Sequence, residues 1–330
     1  MMVKMSNKAH GQHFLLSSKA RTLSLRDVLR MTDDQAMAMF RAIRWADTEG
    51  EPVCPHCGCV ACYEYVSRPI FKCKGCGKQF SVTSGTIFNS RKLSIRDYLA
   101  AIVIFINAAK GISALQLGRD LGVQYKTAFV LTHKLREAMA SELKGMVLNG
   151  TVEVNGCYVG GHVRPANIKA QRVDRRTAEN QNGKRKCVVV MRQRGGRTLP
   201  FAMMSEAEGV TMIKNRVAKG SVVHADEAAS WDDLHARYEM KRINHQVAYS
   251  LDGACTNLAE SFFSRLRRAE WGQHHHIGAL YLGRYAAEMA WREDHRRQSN
   301  GSQVGRLLGL ALAQPASVDW CGYWQRNKTA

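Results

Sequence analysis

Three short stretches carry residues that could do chemistry at phosphorus if the fold brings them together: 151–161, 221–227 and 256–268. The first, TVEVNGCYVGG, alternates apolar residues at Val152, Val154 and Tyr158, the period-two pattern of a strand. Its other face carries Glu153, Asn155 and Cys157. The second, SVVHADE, is an apolar strand ending in His224, Asp226 and Glu227. The third, TNLAESFFSRLRR, reads as an amphipathic helix capped by Thr256, with Asn257 and Glu260 three apart and so on one face. Carboxylates delivered by a strand, by the end of its neighbour and by a facing helix can hold two divalent cations about 3.5–4 Å apart. Such a pair activates an attacking oxygen and stabilises a leaving one.

A second constellation is built from sulfur. Cys54-x-x-Cys57 and Cys73-x-x-Cys76 have the spacing of a closed tetrahedral thiolate site, which suits structural zinc. Gly58 and Gly77 follow the two pairs and permit the tight turn that aims backbone amides at sulfur. A third pair, Cys59 and Cys62, is followed by Tyr63 instead of Gly and is expected to stand outside the zinc site. His56 is expected to face solvent. The module holds few apolar residues, so removing the metal should unfold it. A zinc ribbon does not by itself say whether its partner is DNA, RNA or protein.

The totals narrow the class. The 330 residues carry a formal charge of +20 and a pI near 9.8. That charge is spread over several segments and points to a polyanion, most simply nucleic acid. A content of 45% hydrophobic residues excludes global disorder. The longest apolar stretch, 98–109, is too short to span a bilayer. No signal peptide is evident. Cysteines grouped in Cys-x-x-Cys pairs favour metal binding in a reducing compartment over disulfides.

The elements around these residues follow from periodicity. A loose arm precedes a helix over 31–46, where Thr32 and Gln35 have capping-box spacing. Helices are expected over 94–109, 112–121 and 125–139, with a turn at Gly122-Val123. This is a helix-turn-helix pattern, and also that of an ordinary three-helix packing domain. As a DNA reader it would present Gln124, Tyr125, Lys126 and Thr127 to base edges and Lys134 and Arg136 to phosphates. The polar run 162–186, with Arg172, Arg175 and Arg176, reads as a solvated loop able to contact phosphate. Strands over 187–192 and 198–204, a helix over 206–217, a strand over 221–225, a helix over 231–238, a strand over 242–248 and helices over 256–268, 278–297 and 304–313 complete the chain. The order by itself licenses a mixed α/β domain. His274–His276 form a run open to metal binding, to contact with DNA or to plain solvation.

The words EVNGCYVGG, HADEAASW, INHQVAYS and TNLAESFFSRLRR, with 34 residues from Asp226 to Glu260, resemble the DDE transposases. They are most similar to bacterial insertion-sequence transposases that carry a zinc ribbon before a DDE domain, and the likeness runs from about Thr32 to Arg326. The resemblance implies an α/β, ribonuclease-H-like mixed sheet with flanking helices. It implies an arm and helix (1–50), a zinc ribbon (51–83), a helix-turn-helix-like domain (84–145), a catalytic domain (150–300) and a C-terminal helix and tail (301–330). It further implies 3′ strand cleavage and strand transfer with Mg²⁺ or Mn²⁺, double-stranded DNA (element ends and target) as partner, a homo-oligomer on paired ends, and a cytoplasmic, nucleoid-associated location. Asp226 and Glu260 would hold the catalytic metal, Asn257 would orient a ligand, and Arg267 would meet phosphate. The sequence departs from the family at one point: Asn155 stands where the first catalytic Asp is usual. Glu153, two residues away on the same face, is the only nearby substitute, and its longer side chain would displace the metal.

Overall fold

Capping boxes begin each of the first three α-helices. In α1 (Leu25–Arg30) the partners are Ser24 and Asp27, in α2 (Asp33–Arg44) Thr32 and Gln35, and in α3 (Ile95–Asn107) Ser94 and Asp97. The structure, a computed structural model, describes residues 13–322 apart from 162, 175, 176, 181, 245 and 252. Arg175 and Arg176 therefore lie outside the described residues. Between α2 and α3 lies a small antiparallel sheet of β1 (Cys62–Glu64), β2 (Phe71–Cys73) and β3 (Gln79–Phe80). Trp45, at the end of α2, meets Phe71 edge-on at 5.5 Å and Phe80 at 6.4 Å. The ribbon is thereby seated on the helical core.

Helix α3 is buried on nearly every side, which is why its sequence lacks a polar stripe. Helices α4 (Ala114–Asp120) and α5 (Tyr125–Ser141) follow, joined through Gly122 in a left-handed conformation (φ 64). The first is shorter than expected, because Ser113 caps it after Ile112 has turned into the core.

The second layer is a five-stranded sheet. It comprises β4 (Thr151–Val159), β5 (Lys186–Gln193), β6 (Thr198–Met203), β7 (Val222–Asp226) and β8 (Glu239–Ile243), in the spatial order β6-β5-β4-β7-β8. The first three form an antiparallel meander, and β7 and β8 run parallel to β4. Helix α6 (Glu206–Arg216) covers the face of Val152 and Val154. Helices α7 (Asn257–Ala269) and α8 (Leu282–His295) cover the face of Cys157 and Val159. This strand order with helices on both faces is the ribonuclease-H-like arrangement. Two expectations are corrected. The stretch 231–238 is not an α-helix: a 3₁₀ segment, Ala229–Leu234, makes the crossing, with Trp231 and Leu234 driven into the core. The last strand begins at Glu239, earlier than the expected 242, because that shorter crossing delivers the chain to the sheet sooner.

Helix α9 (Asn300–Ala313) returns to the N-terminal core, where Val304, Leu307 and Leu308 are buried with residues of α1–α3. The two layers are joined at a buried ion cluster. Glu288 of α8 accepts from Arg136 Nε at 2.7 Å and from Arg292 Nε at 2.9 Å, while Arg292 Nη2 donates to the Phe105 carbonyl at 2.6 Å. Burial alone would raise the Glu288 carboxyl, but the two guanidiniums hold it below the usual carboxylate range.

Candidate active site

Register puts the key residues side by side. Strands β4 and β7 pair in parallel with Glu153 opposite His224. The paired ladder ends there; Asn155 and Asp226 each follow two residues later on their own strands, so alternation gives Asn155 the face of Glu153 and Asp226 the face of His224. Helix α7 overlies that face in the direction of β4: Glu153 meets its first turn and Cys157 meets Arg267 near its last. Glu260, half-buried, and the exposed Asn257 belong to that first turn.

The Asp226 carboxylate is oriented from behind. Its Oδ1 accepts the Trp231 indole N–H at 2.8 Å and the Ala228 amide at 3.2 Å, and Arg242 donates to its backbone carbonyl at 2.6 Å. Asn155 is only 7% exposed, and its Oδ1 accepts the amide of Gly156 at 2.7 Å. A local bond of this kind leaves a neutral amide where the arrangement calls for an anion.

Glu153 has another task. Its Oε2 accepts the amides of Leu258 at 2.7 Å and Ala259 at 3.2 Å, and its Oε1 accepts Arg194 Nε at 3.0 Å. It caps helix α7 from across the sheet, a place where a carboxylate also meets the positive end of the helix dipole. Arg194 continues the network to Cys255 Sγ at 2.7 Å and His224 Nδ1 at 3.2 Å. Burial, followed by the charges of Arg194 and Lys241, pulls His224 down to about 4, so it is neutral near pH 7. Glu153 is thus engaged as the cap of α7.

Glu206 was missed by sequence reasoning. It begins α6 and lies across Gly156, where a Cβ would be 2.6 Å from its Cδ. Burial raises its carboxyl, and the nearby Asp226 raises it further. The only signals were an acidic residue at a helix start and a glycine inside a strand. Trp231 was legible only as the last letter of HADEAASW.

The expected DNA contacts divide. Lys126 is exposed and Thr127 half-buried at the start of α5, and Lys134 borders the same cleft although only 6% exposed. Arg136 is 1% exposed and locked to Glu288, so the phosphate contact expected of it is corrected. Arg172 is exposed but donates to the carbonyls of Ala166 and Asn167 in its own loop. Arg267 is exposed, with Nη2 donating to Cys157 Sγ at 3.0 Å.

The sulfur site is built as its spacing implies. The four Sγ atoms of Cys54, Cys57, Cys73 and Cys76 lie within 4.8 Å of one another. The Cys54–Cys76 and Cys57–Cys73 separations are 3.7 and 3.5 Å, against about 3.8 Å for a tetrahedron with zinc–sulfur bonds near 2.3 Å. Gly58 and Gly77 adopt φ 73 and 72, as the knuckle turns require. The Cys76 amide is aimed at Cys73 Sγ at 3.4 Å, a contact that favours the thiolate a metal binds. Cys59 and Cys62 stand outside the cluster. Among the described residues no other group of three or more His, Cys, Asp and Glu donors lies that close together, the His run included.

A zinc ribbon seated on a helical core and followed by a ribonuclease-H-like sheet is the architecture of a DDE-type transposase. Residues 31–79 match the transposase zinc-ribbon domain family, and residues 147–294 match the ISXO2-like transposase domain family. The chain thus carries, in order, a transposase zinc-ribbon domain and an ISXO2-like transposase domain. It is also similar to an uncharacterized protein in transposable element ISH50 of Halobacterium salinarum, at 22% identity over 86% of this chain and 98% of the relative. A crystal structure of the Mos1 strand transfer complex is 14% identical and covers 63% of this chain and 78% of its own, with a TM-score of 0.21, too loose a superposition to bear on the site. No helix among the described residues is long and apolar enough to cross a membrane.

Proposed function

We propose that this transposase binds the double-stranded ends of its element and is built for 3′ strand cleavage followed by strand transfer to target DNA, with Asn155 suppressing both steps. The observation that carries the reading is the parallel pairing of β4 with β7, Glu153 opposite His224, with Asn155 and Asp226 each two residues further along their strands and α7, which bears Glu260, anchored on Glu153. In cleavage, water attacks the phosphodiester and the 3′ oxygen leaves. In transfer, that 3′ hydroxyl attacks a target phosphodiester. Divalent cations, when bound, would activate the attacking oxygen and neutralise the leaving one. The donor set fits one hard cation: Asp226 and Glu260 would hold it, and Asn257 would orient a ligand. A pair of dications needs more negative charge than two carboxylates supply, and an amide oxygen adds none. Glu153 stays with its helix cap and lends nothing to the metal.

Lys126, Thr127, Lys134, Arg172, Arg175, Arg176 and Arg267 are proposed to contact DNA, in keeping with the +20 charge. Two copies acting on paired ends would let both be cut together. Asn155 also favours a second reading, a zinc-ribbon DNA-binding protein derived from a transposase and devoid of catalysis. Duplex binding across a salt series and strand cleavage with Mg²⁺ or Mn²⁺ separate the two. The transposase reading requires metal-dependent nicking and joining, at least once Asn155 is restored to Asp. The second requires salt-sensitive binding indifferent to Mg²⁺, with no cleavage by either form.

A further inference from the structure

Beyond the acids, β4 and α7 meet again at their C-terminal ends around a cavity of about 640 Å³, within the roughly 300–1,000 Å³ range of pockets that enclose a single ligand. Trp271, 71% exposed, borders it from α7, and Tyr158, 41% exposed, borders it from β4 with its side chain alternating to the face opposite Cys157. Large rings left in water beside a cavity call for an explanation. Trp271 lies in a π-helical turn that continues α7, Glu270–His274, a distortion frequent at functional sites. Cations surround the rings. The Arg185 guanidinium lies 4.7 Å from the Tyr158 ring centroid, and Arg267 is held at the wall by Cys157 Sγ. Glu270, 7% exposed, also lines it.

This mixture selects among ligands. A free phosphate would meet the acidic side chains of Glu270 and Asp174 that also line the cavity. An apolar peptide would leave the two guanidiniums unanswered. A nucleobase satisfies each part: its ring stacks on Trp271, an exocyclic amine reaches Glu270, and the strand's phosphates meet Arg185 and Arg267. We infer that this cavity receives an unstacked base from a single-stranded segment of DNA near the reacting phosphodiester.

Position supports the assignment. Tyr158 lies three residues beyond Asn155 on β4, and Arg267 seven beyond Glu260 on α7. At about 3.3 Å per strand residue and 1.5 Å per helical residue, both steps are roughly 10 Å. A strand with its phosphate at the acids could therefore place a nearby base in the cavity. The inference rests on the proposed DNA function but not on catalysis, so Asn155 does not affect its test.

The test uses the full zinc-loaded chain with a short single strand carrying one 2-aminopurine, and the same sequence as a blunt duplex. Binding is followed by anisotropy, and stacking by quenching of 2-aminopurine. The unaltered chain should bind the strand and quench the probe. Trp271→Ala should abolish quenching and weaken single-strand binding by about 5- to 150-fold, the range expected for loss of one base stack. Trp271→Phe should restore most of both, and duplex binding should be unchanged in both variants. Trp271 is exposed, so neither substitution threatens the fold. Equal affinity and quenching in Trp271→Ala would overturn the inference, as would strand binding without quenching by the unaltered chain. Failure to bind the blunt duplex at low salt would instead remove the DNA-binding reading on which the inference stands.

Discussion

The carboxylate of Glu153 accepts the backbone N–H of Leu258 at 2.7 Å, so one buried acid on β4 fixes where helix α7, and Glu260 with it, stands over the sheet. The same carboxylate holds Arg194 at 3.0 Å. Glu153→Ala should therefore cost about 2–6 kcal/mol, roughly 1–3 kcal/mol for each of the Leu258 and Ala259 amides left without an acceptor. Glu153→Gln keeps an acceptor and should cost less, about 1–3 kcal/mol. Urea unfolding measures both. If Glu153→Gln left the midpoint unchanged while abolishing Mn²⁺ binding, the residue would be a ligand and not a cap.

This relationship also marks how far the sequence could be read. Cys54, Cys57, Cys73 and Cys76 were legible because local spacing dictates zinc geometry. The Thr32 capping box and the strand at Val152 and Val154 were legible because short-range periodicity dictates them. The role of Glu153 was not, because its partners Leu258 and Arg194 are distant in sequence and reach it only when the sheet forms. Arg136 misled for the same reason: a lone Arg on a helix reads as solvated until Glu288 of α8 is brought against it. The stretch 231–238 carried a helical composition, but burial of Trp231 and Leu234 in a short crossing favoured the tighter 3₁₀ path.

Zinc should hold the small sheet and not the large one. Chelation should expose the thiols of Cys54, Cys57, Cys73 and Cys76 to titration and release amide protection across β1–β3, since binding energy in such modules is folding energy. Protection across β4–β8 should persist, because that sheet has its own core. Hydrogen exchange with and without chelator decides the matter. Unchanged protection over residues 51–83 would mean that Trp45, Phe71 and Phe80 hold the ribbon unaided.

Acid should loosen the junction of the layers at Glu142. That carboxylate accepts from Arg306 Nε at 2.6 Å, His295 Nε2 at 3.1 Å and Arg197 Nη2 at 3.4 Å. Burial opposes its ionisation, but these partners bring it from 4.5 down to about 2. A depressed carboxyl contributes stability that is full above its unfolded value and lost as pH falls through its folded one. The Tm difference between the unaltered chain and Glu142→Gln should be constant above pH 4.5 and close between 4.5 and about 2. A difference that stays constant through that window would show that the ionised form is not what stabilises the contact.

The central claim is that a DDE site is disabled by one residue. Strand cleavage of a duplex bearing the element's own end, with Mg²⁺ or Mn²⁺, tests it by comparing the unaltered chain with Asn155→Asp. The account predicts cleavage by Asn155→Asp at a rate at least about 100-fold higher, the scale seen when metal-site partners are lost. That cleavage should disappear again when Asp226 or Glu260 is replaced by Ala. Equal cleavage by the unaltered chain would contradict the account and make Glu206 the next residue to replace.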